Sequence, residues 1–198
     1  MRLGIWVALL YLSAAAQVIE FESNGLKYQT LTRRGVTVMF APLPAHIHEF
    51  AIVQVAISNG SPGPYTIRPE DFRYVHADGS AIRASSAERV VGELREKGTR
   101  SDVIKLVSNY ESALYGMRNM RSTNGYEARR RAALAEVSST RLKAAAAASA
   151  LALVQSKLAP GETTDGAVFF ATDGKPLVAG HLVVSTNTDI FEFKGGGE

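Results

Sequence analysis

The chain contains no cysteine. That absence removes disulfides, thiolate metal sites, cysteine nucleophiles and the lipid-modified cysteine of a bacterial lipoprotein at once. The sequence also has no Gly-x-Ser-x-Gly elbow, no His-Glu-x-x-His and no glycine loop of the phosphate-binding kind, so the common hydrolase, metalloprotease and nucleotide-binding patterns are missing. Long apolar runs are missing too. The alanine-rich run 144–154 has eleven residues, and a membrane-spanning helix needs about twenty. Glu70 and Asp71 form an acidic pair, but neighbouring strand residues face opposite sides and do not converge as an acid–base couple. Asp78, Asp165 and Asp173 each stand beside or next to a glycine in contexts that read as turns. No cofactor is implied, and no enzyme is expected.

What is present fits a globular protein. The 198 residues are 46% hydrophobic and 21% charged, which suits one domain with a sizeable core, or one domain with an embellishment. Residues 1–16 are expected to be a cleaved signal peptide. Arg2 supplies the positive start, residues 3–12 the apolar stretch, and Ser13-Ala14-Ala15-Ala16 the small residues before cleavage. The expected location is therefore the periplasm or the extracellular space, with no membrane span left after cleavage.

The next part reads as β-structure. Short alternating segments at 18–21, 26–31 and 35–41 are divided by Ser23-Asn24-Gly25 and Arg33-Arg34-Gly35. Residues 49–58 make the strongest strand. Ala51, Val53, Val55 and Ile57 form its more uniformly apolar face, which is expected to point into the core. Asn59-Gly60-Ser61 is formally a glycosylation sequon and reads as a turn. The stretch TIRPEDFRYVHADGS follows a strand–turn grammar that LAPGETTDGAVFFAT repeats later.

Together with EFAIVQVAISNGS, these segments resemble bacterial exported domains of unknown function with a telokin-like, immunoglobulin-type β-sandwich. The resemblance covers 18–83 and 158–194. It implies a fold and a compartment and no reaction. The departure is the helical block between the two parts, which such small sandwiches usually lack.

The expected fold is therefore α+β: an immunoglobulin-like antiparallel β-sandwich carrying an inserted helical hairpin and one short preceding helix. The divisions are 1–16 signal peptide, 17–84 first part of the sandwich, 85–157 helical insertion, 158–194 second part, and 195–198 flexible tail. In the insertion, Ser85 to Glu88 fits a capping box and Gly98 a helix stop. Ser101-Asp102 can cap a second helix, with a seam through Val103, Leu106, Tyr110, Ala113, Met117 and Met120. A third helix is expected to run to about Leu158 along Val137, Thr140, Ala144, Ala147, Leu151 and Val154.

Charge is concentrated there. Residues 100–158 hold ten basic and four acidic side chains, a balance of +6 in a chain of +3, which leaves −3 for the remainder. Arg118, Arg121, Arg129, Arg130 and Arg131 should gather near the hairpin tip. They are candidates for binding an envelope or extracellular protein, with an acidic one favoured. The same arginines also fit a solvated face that keeps an alanine-rich hairpin soluble, with pairs such as Glu127–Arg131. Nucleic acid is not expected. The helical seams also allow a homo-oligomer.

His46 and His48 are spaced i,i+2, so on extended chain their rings face one way and are candidate Cu(II) or Zn(II) ligands, with His76 or His181 joining. The nearby Pro42 and Pro44 suggest an ordinary surface loop instead. The expected function is a non-enzymatic exported interaction or structural module of the cell envelope with the hairpin as its arm. The alternative is a periplasmic metal- or small-ligand-binding protein using His46 and His48.

Overall fold

The computed structural model describes residues 17–116, 128, 131–132, 135, 138–177 and 179–194. Two tight hairpins start the fold. Strands β1 (Ile19–Ser23), β2 (Leu26–Arg33) and β3 (Val36–Ile47) are joined through Asn24-Gly25 and Arg34-Gly35. These four residues have φ of 52°, 73°, 48° and 82°, the paired positive angles of a two-residue turn whose twist suits a hairpin. Strand β4 (Phe50–Asn59) follows, then the short β5 (Tyr65–Ile67), β6 (Phe72–His76) and β7 (Ala81–Ser85). Helices α1 (Ala87–Lys97), α2 (Arg100–Gly116) and α3 (Thr140–Leu151) precede β8 (Ser156–Leu158), β9 (Thr163–Ala171), β10 (Gly180–Ser185) and β11 (Ile190–Glu192).

The nine longer-range partners make one antiparallel sheet in the order β1-β2-β3-β4-β9-β7-β6-β10-β11, and β5 pairs with β8 separately. This overturns the immunoglobulin-like sandwich. The two β-rich parts of the chain meet edge to edge, β4 against β9 from Phe50↔Ala171 to Ser58↔Thr163, so they form one sheet where the sandwich has two. The sheet curls into a half-barrel. Its curvature brings Phe40 of β3 onto Phe193 beyond β11, ring centres 4.9 Å apart and edge-on. Such a pair adds about 0.5–1.5 kcal/mol beyond its buried area.

Both faces of the sheet are buried near its middle. The concave face holds Val38, Phe40, Val53, Val55, Phe170 and Phe191. The other face holds Tyr28, Phe50, Ile52 and Phe169 and is roofed by Val90, Leu94, Leu106, Tyr110, Ala147 and Leu151 of the three helices. The expectation that only the Ala51–Ile57 face of β4 points inward is thus corrected. The helices lie flat on the opposite face, so nearly all of β4 is buried.

The helix signals are mostly where the sequence puts them, with shifts. Ser86, not Ser85, caps α1: its Oγ accepts from the Arg89 N–H (3.2 Å). Gly98 ends α1 and has no room for a side chain, since a Cβ there would lie 2.4 Å from the Leu94 carbonyl. Thr99 begins α2. The Asp102 carboxylate accepts from the Thr99 N–H (2.8 Å) and hydroxyl (2.7 Å), while Thr99 Oγ1 accepts from the Asp102 N–H (3.2 Å). That is a reciprocal capping box, with the capping residue two positions earlier than the expected Ser101. Helix α3 stops at Leu151, not near Leu158, and Ser156–Leu158 is strand β8. Val154 is correspondingly exposed.

Between α3 and β8 the chain passes through the sheet layer. The Leu153 N–H donates to the Ala167 carbonyl (2.8 Å), and Leu153 packs into the concave core. The passage exists because β7 meets β9 only at Phe169 and Phe170, leaving the earlier part of that edge open. Among the described residues no helix is long and apolar enough to cross a membrane.

Candidate functional site

Among the described residues there is a cleft of about 370 Å³ between the ends of β2 and β3, lined by Leu26, Lys27, Pro42, Leu43, Pro44, His46, Ala51, Ile52, Pro176 and Leu177 with Gly25. The sequence opens it. In a two-residue hairpin the closing residues exchange both backbone bonds, and the residues that do so then alternate along each strand. Arg33↔Val36 closes the β2–β3 hairpin. Val36, Val38 and Phe40 therefore turn their N–H and C=O groups toward β2, and Pro42 and Pro44 come next in that series. Proline has no N–H to give. The β2–β3 register accordingly ends at Gln29↔Phe40. Lys27 turns its own backbone groups toward Pro42 and receives no proton back.

The other wall is opened by a second irregularity. The β3–β4 register runs from Pro42↔Val53 to His46↔Ala51, so Leu43, Pro44 and Ala45 bulge opposite Ile52 alone. The expectation of a surface loop at Pro42–Pro44 is corrected here: β3 runs through both prolines to Ile47. Pro176 and Leu177, after β9, close the rim.

The rim is pinned through the β3–β4 turn. His46 Nε2–H donates to the Lys175 carbonyl (2.9 Å). The Glu49 carbonyl accepts from the Thr172 N–H (2.8 Å) and the Gly174 N–H (3.3 Å). The helices hold the same turn from the other side. Arg89 of α1 pairs with the Glu49 carboxylate, Lys105 of α2 donates to the His46 carbonyl (3.4 Å), and His48 Nε2 lies 3.2 Å from Asp102 Oδ2.

His46 and His48 are thus drawn to different partners. His48 has φ 49° in the turn, so the chain is not extended there and the i,i+2 rule does not align the rings. His76 lies edge-on to Tyr74 (5.4 Å), and His181 Nε2 is 3.1 Å from Glu192 Oε1. Among the described residues no group of three or more His, Asp or Glu is arranged to hold a metal ion. Of the arginine set, Arg118, Arg121, Arg129 and Arg130 lie outside the described residues; Arg131 is helical and exposed.

Lys27 is among the lining residues of the cleft, while Lys175 meets His46 at the rim through its carbonyl and Lys105 reaches the His46 carbonyl from the helix side. No Asp or Glu lines it. Glu22 stands opposite Lys27 on β1 yet makes no ion pair with it within 4 Å. The polar cluster elsewhere is internal. Asp165, which reads as a turn residue, sits buried in mid-β9 and accepts from the Tyr110 hydroxyl. The Tyr28 hydroxyl donates to the Ala113 carbonyl (2.8 Å), and burial raises its pKa. Asp78 is an exposed turn acid, lowered by the Ser80 hydroxyl and N–H that donate to it.

Sequence reasoning missed Lys27, Pro176 and Leu177. Their signal was present in part: two prolines spaced by two, directly after an alternating strand, remove donors from one and the same edge.

No family model matches the chain, and no curated protein does. Among solved structures there is a distant likeness to the yjhA protein from Bacillus subtilis, at 11% identity over 86% of this chain and 83% of that one, with a TM-score of 0.35. At that score the likeness carries no argument here.

Proposed function

We propose that the protein is a non-catalytic ligand-binding module of the cell envelope, exported by the leader read in residues 1–16, whose cleft between β2 and β3 takes a small apolar ligand. The observation that supports this is the proline-opened cleft itself. Its walls are Leu26, Pro42, Leu43, Pro44, Ile52 and Leu177, and its volume of about 370 Å³ lies within the usual range of small-molecule sites. The residues that line it include no carboxylate and no nucleophilic hydroxyl, with His46 and Lys27 as its titratable side chains. Titration with the neutral dye N-phenyl-1-naphthylamine tests the reading. The expected result is saturable one-to-one binding by the wild type and loss in Leu177→Asp, with both proteins folded by circular dichroism. Equal or non-saturable binding in the two would refute it.

A second reading, a protein-interaction module, is favoured by strand β1. It is an edge strand, and its apolar residues Ile19 and Phe21 are 61% and 37% exposed. Its Glu20 and Glu22 N–H groups point away from β2, since Ile19, Phe21 and Ser23 make the ladder bonds. A partner strand can add there. Crosslinking in native envelopes with Glu20→Pro/Glu22→Pro checks it: that variant should lose a partner that the wild type captures.

A further inference from the structure

We infer that the free edge of β1 takes an extended segment of another protein as an added antiparallel strand, and that the segment it fits alternates basic with apolar residues. The inference rests on the edge-strand reading above and names the class of partner.

The backbone fixes where such a segment bonds. Ser23↔Leu26 closes the β1–β2 hairpin around Asn24-Gly25, and Phe21↔Tyr28 and Ile19↔Thr30 follow at every second step. Those are the pairs that exchange bonds within the hairpin. The N–H and C=O groups of Glu20 and Glu22 therefore face outward, and β1 ends the order of the sheet. An added strand bonds to these two residues.

The side chains fix what the segment carries. Ile19 and Phe21 share one face of β1, Glu20 and Glu22 the other, and all four are exposed. Phe21 stacks on Tyr28 with ring centres 5.1 Å apart, and the Tyr28 hydroxyl is tied to the Ala113 carbonyl of α2 (2.8 Å). The residue that an added strand sets opposite Phe21 belongs to a non-bonded pair, where Cα atoms approach to about 4.5 Å. An apolar side chain packs on the ring there. On the other face Glu20 Oε1 accepts from the neutral Gln29 amide (2.6 Å) and has no cation across from it. Lys27 stands across from Glu22 and offsets part of its charge. A basic residue directly opposite each glutamate completes a cross-strand ion pair. Opposite Glu22, Phe21, Glu20 and Ile19 the partner thus reads basic, apolar, basic, apolar.

The same carboxylates count against a second copy of this chain as the added strand. Two β1 strands laid antiparallel and overlapping at their centres set Glu20 against Glu22 of the other copy, or either glutamate against its own counterpart. Like charges directly opposite destabilise a strand pair, and charge on an edge strand guards against self-pairing.

The experiment is fluorescence anisotropy at low salt with three labelled peptides: Thr-Lys-Val-Lys-Val-Thr, the same peptide with Glu for both Lys, and the Lys peptide N-methylated at both Lys residues. Each is titrated with the wild type and with Glu20→Lys/Glu22→Lys, both folded by circular dichroism. The inference expects saturable binding of the Lys peptide by the wild type, about tenfold tighter than the Glu peptide, since two opposite-charge pairs are set against two like-charge pairs. Glu20→Lys/Glu22→Lys should reverse that preference. N-methylation keeps the charges and removes the donors to the Glu20 and Glu22 carbonyls, so it should abolish binding. Equal binding of the Lys and Glu peptides by the wild type overturns the charge selection and leaves the edge-strand reading standing. A preference for the Lys peptide that survives Glu20→Lys/Glu22→Lys overturns the role of the two glutamates. N-methylated peptide that binds as well as its parent, or no saturable binding of either parent peptide up to millimolar concentration, overturns the edge-strand reading and this inference together. Sedimentation of the wild type alone completes the test: a dimer that Glu20→Pro/Glu22→Pro abolishes would make a second copy the occupant and overturn the inference.

Discussion

Gly166 is where the chain that leaves α3 crosses β9, and the crossing leaves no space for a side chain. A Cβ there would lie 2.6 Å from Leu153 Cα and 2.7 Å from Leu153 N. Both are backbone atoms, so neither can swing away. Gly166→Ala should lower stability by about 1–3 kcal/mol, read as a lower urea midpoint. Gln54 predicts the opposite sign. It is fully buried in β4 under the helices, and neither its amide nitrogen nor its oxygen has a partner among the described residues. An unpaired buried polar group costs about 1–3 kcal/mol, so Gln54→Met should raise the midpoint; a fall would mean that the amide is bonded. Glu192 gives a pH test. The Lys194 ammonium (2.9 Å), then His181 (3.1 Å), hold its carboxyl below the usual glutamate value. A lowered carboxylate contributes stability above its unfolded pKa and loses it as pH falls through the folded one. Glu192→Gln should therefore remove a small stabilisation at neutral pH and flatten the acid limb below about pH 4.5. Because the pair is exposed, high salt should erase the difference.

Pro42 and Pro44 decide what the β2–β3 hairpin can do. Both are exposed, so replacing them tests the ladder and not the core. In Pro42→Val/Pro44→Val the missing donors return, the ladder can extend past Phe40, and the cleft narrows. Each restored bond is worth about 1 kcal/mol, and losing proline's restraint on the unfolded chain offsets about 0.4–1 kcal/mol per site. Net stability should move little. Amide exchange at Lys27 should slow, and dye binding should fall. Strand pairing of this kind was only half legible. Asn24-Gly25 and Arg34-Gly35 announce their hairpins because positive φ is a local demand. The capping of α1 and α2 is likewise local, and the sequence pattern places it within one residue for α1 and within two for α2. The splay beyond Phe40 was not read, because it depends on which neighbour each proline faces. The break after Leu151 was also hidden: the spacing of Val154 and Leu158 continues the helical seam, while the pull of Ala167 and of β5 is non-local.

The curled single sheet explains why the sandwich expectation failed. Alternating strands look the same whether two β-rich segments stack face to face or join edge to edge, and the β4–β9 seam spans more than a hundred residues of sequence. Apolar residues on both sides of β4 were the available clue, since a strand with two buried faces belongs inside a covered sheet. The curl then fixes the cleft. Phe40 is held on the concave side by Phe193, while helices α1 and α2 grip the β3–β4 turn from the convex side through Glu49, His48 and the His46 carbonyl. The bulged end of β3 is thus anchored at both of its limits. The most direct measurement is a heteronuclear NMR titration of the wild type with 1-decanol, following backbone amides. The account predicts saturable shifts concentrated at Leu26, Lys27, Leu43, Ile52 and Leu177, with little change at β6, β10 or β11. Shifts that are absent, non-saturable or centred on strands away from β2 and β3 would contradict it.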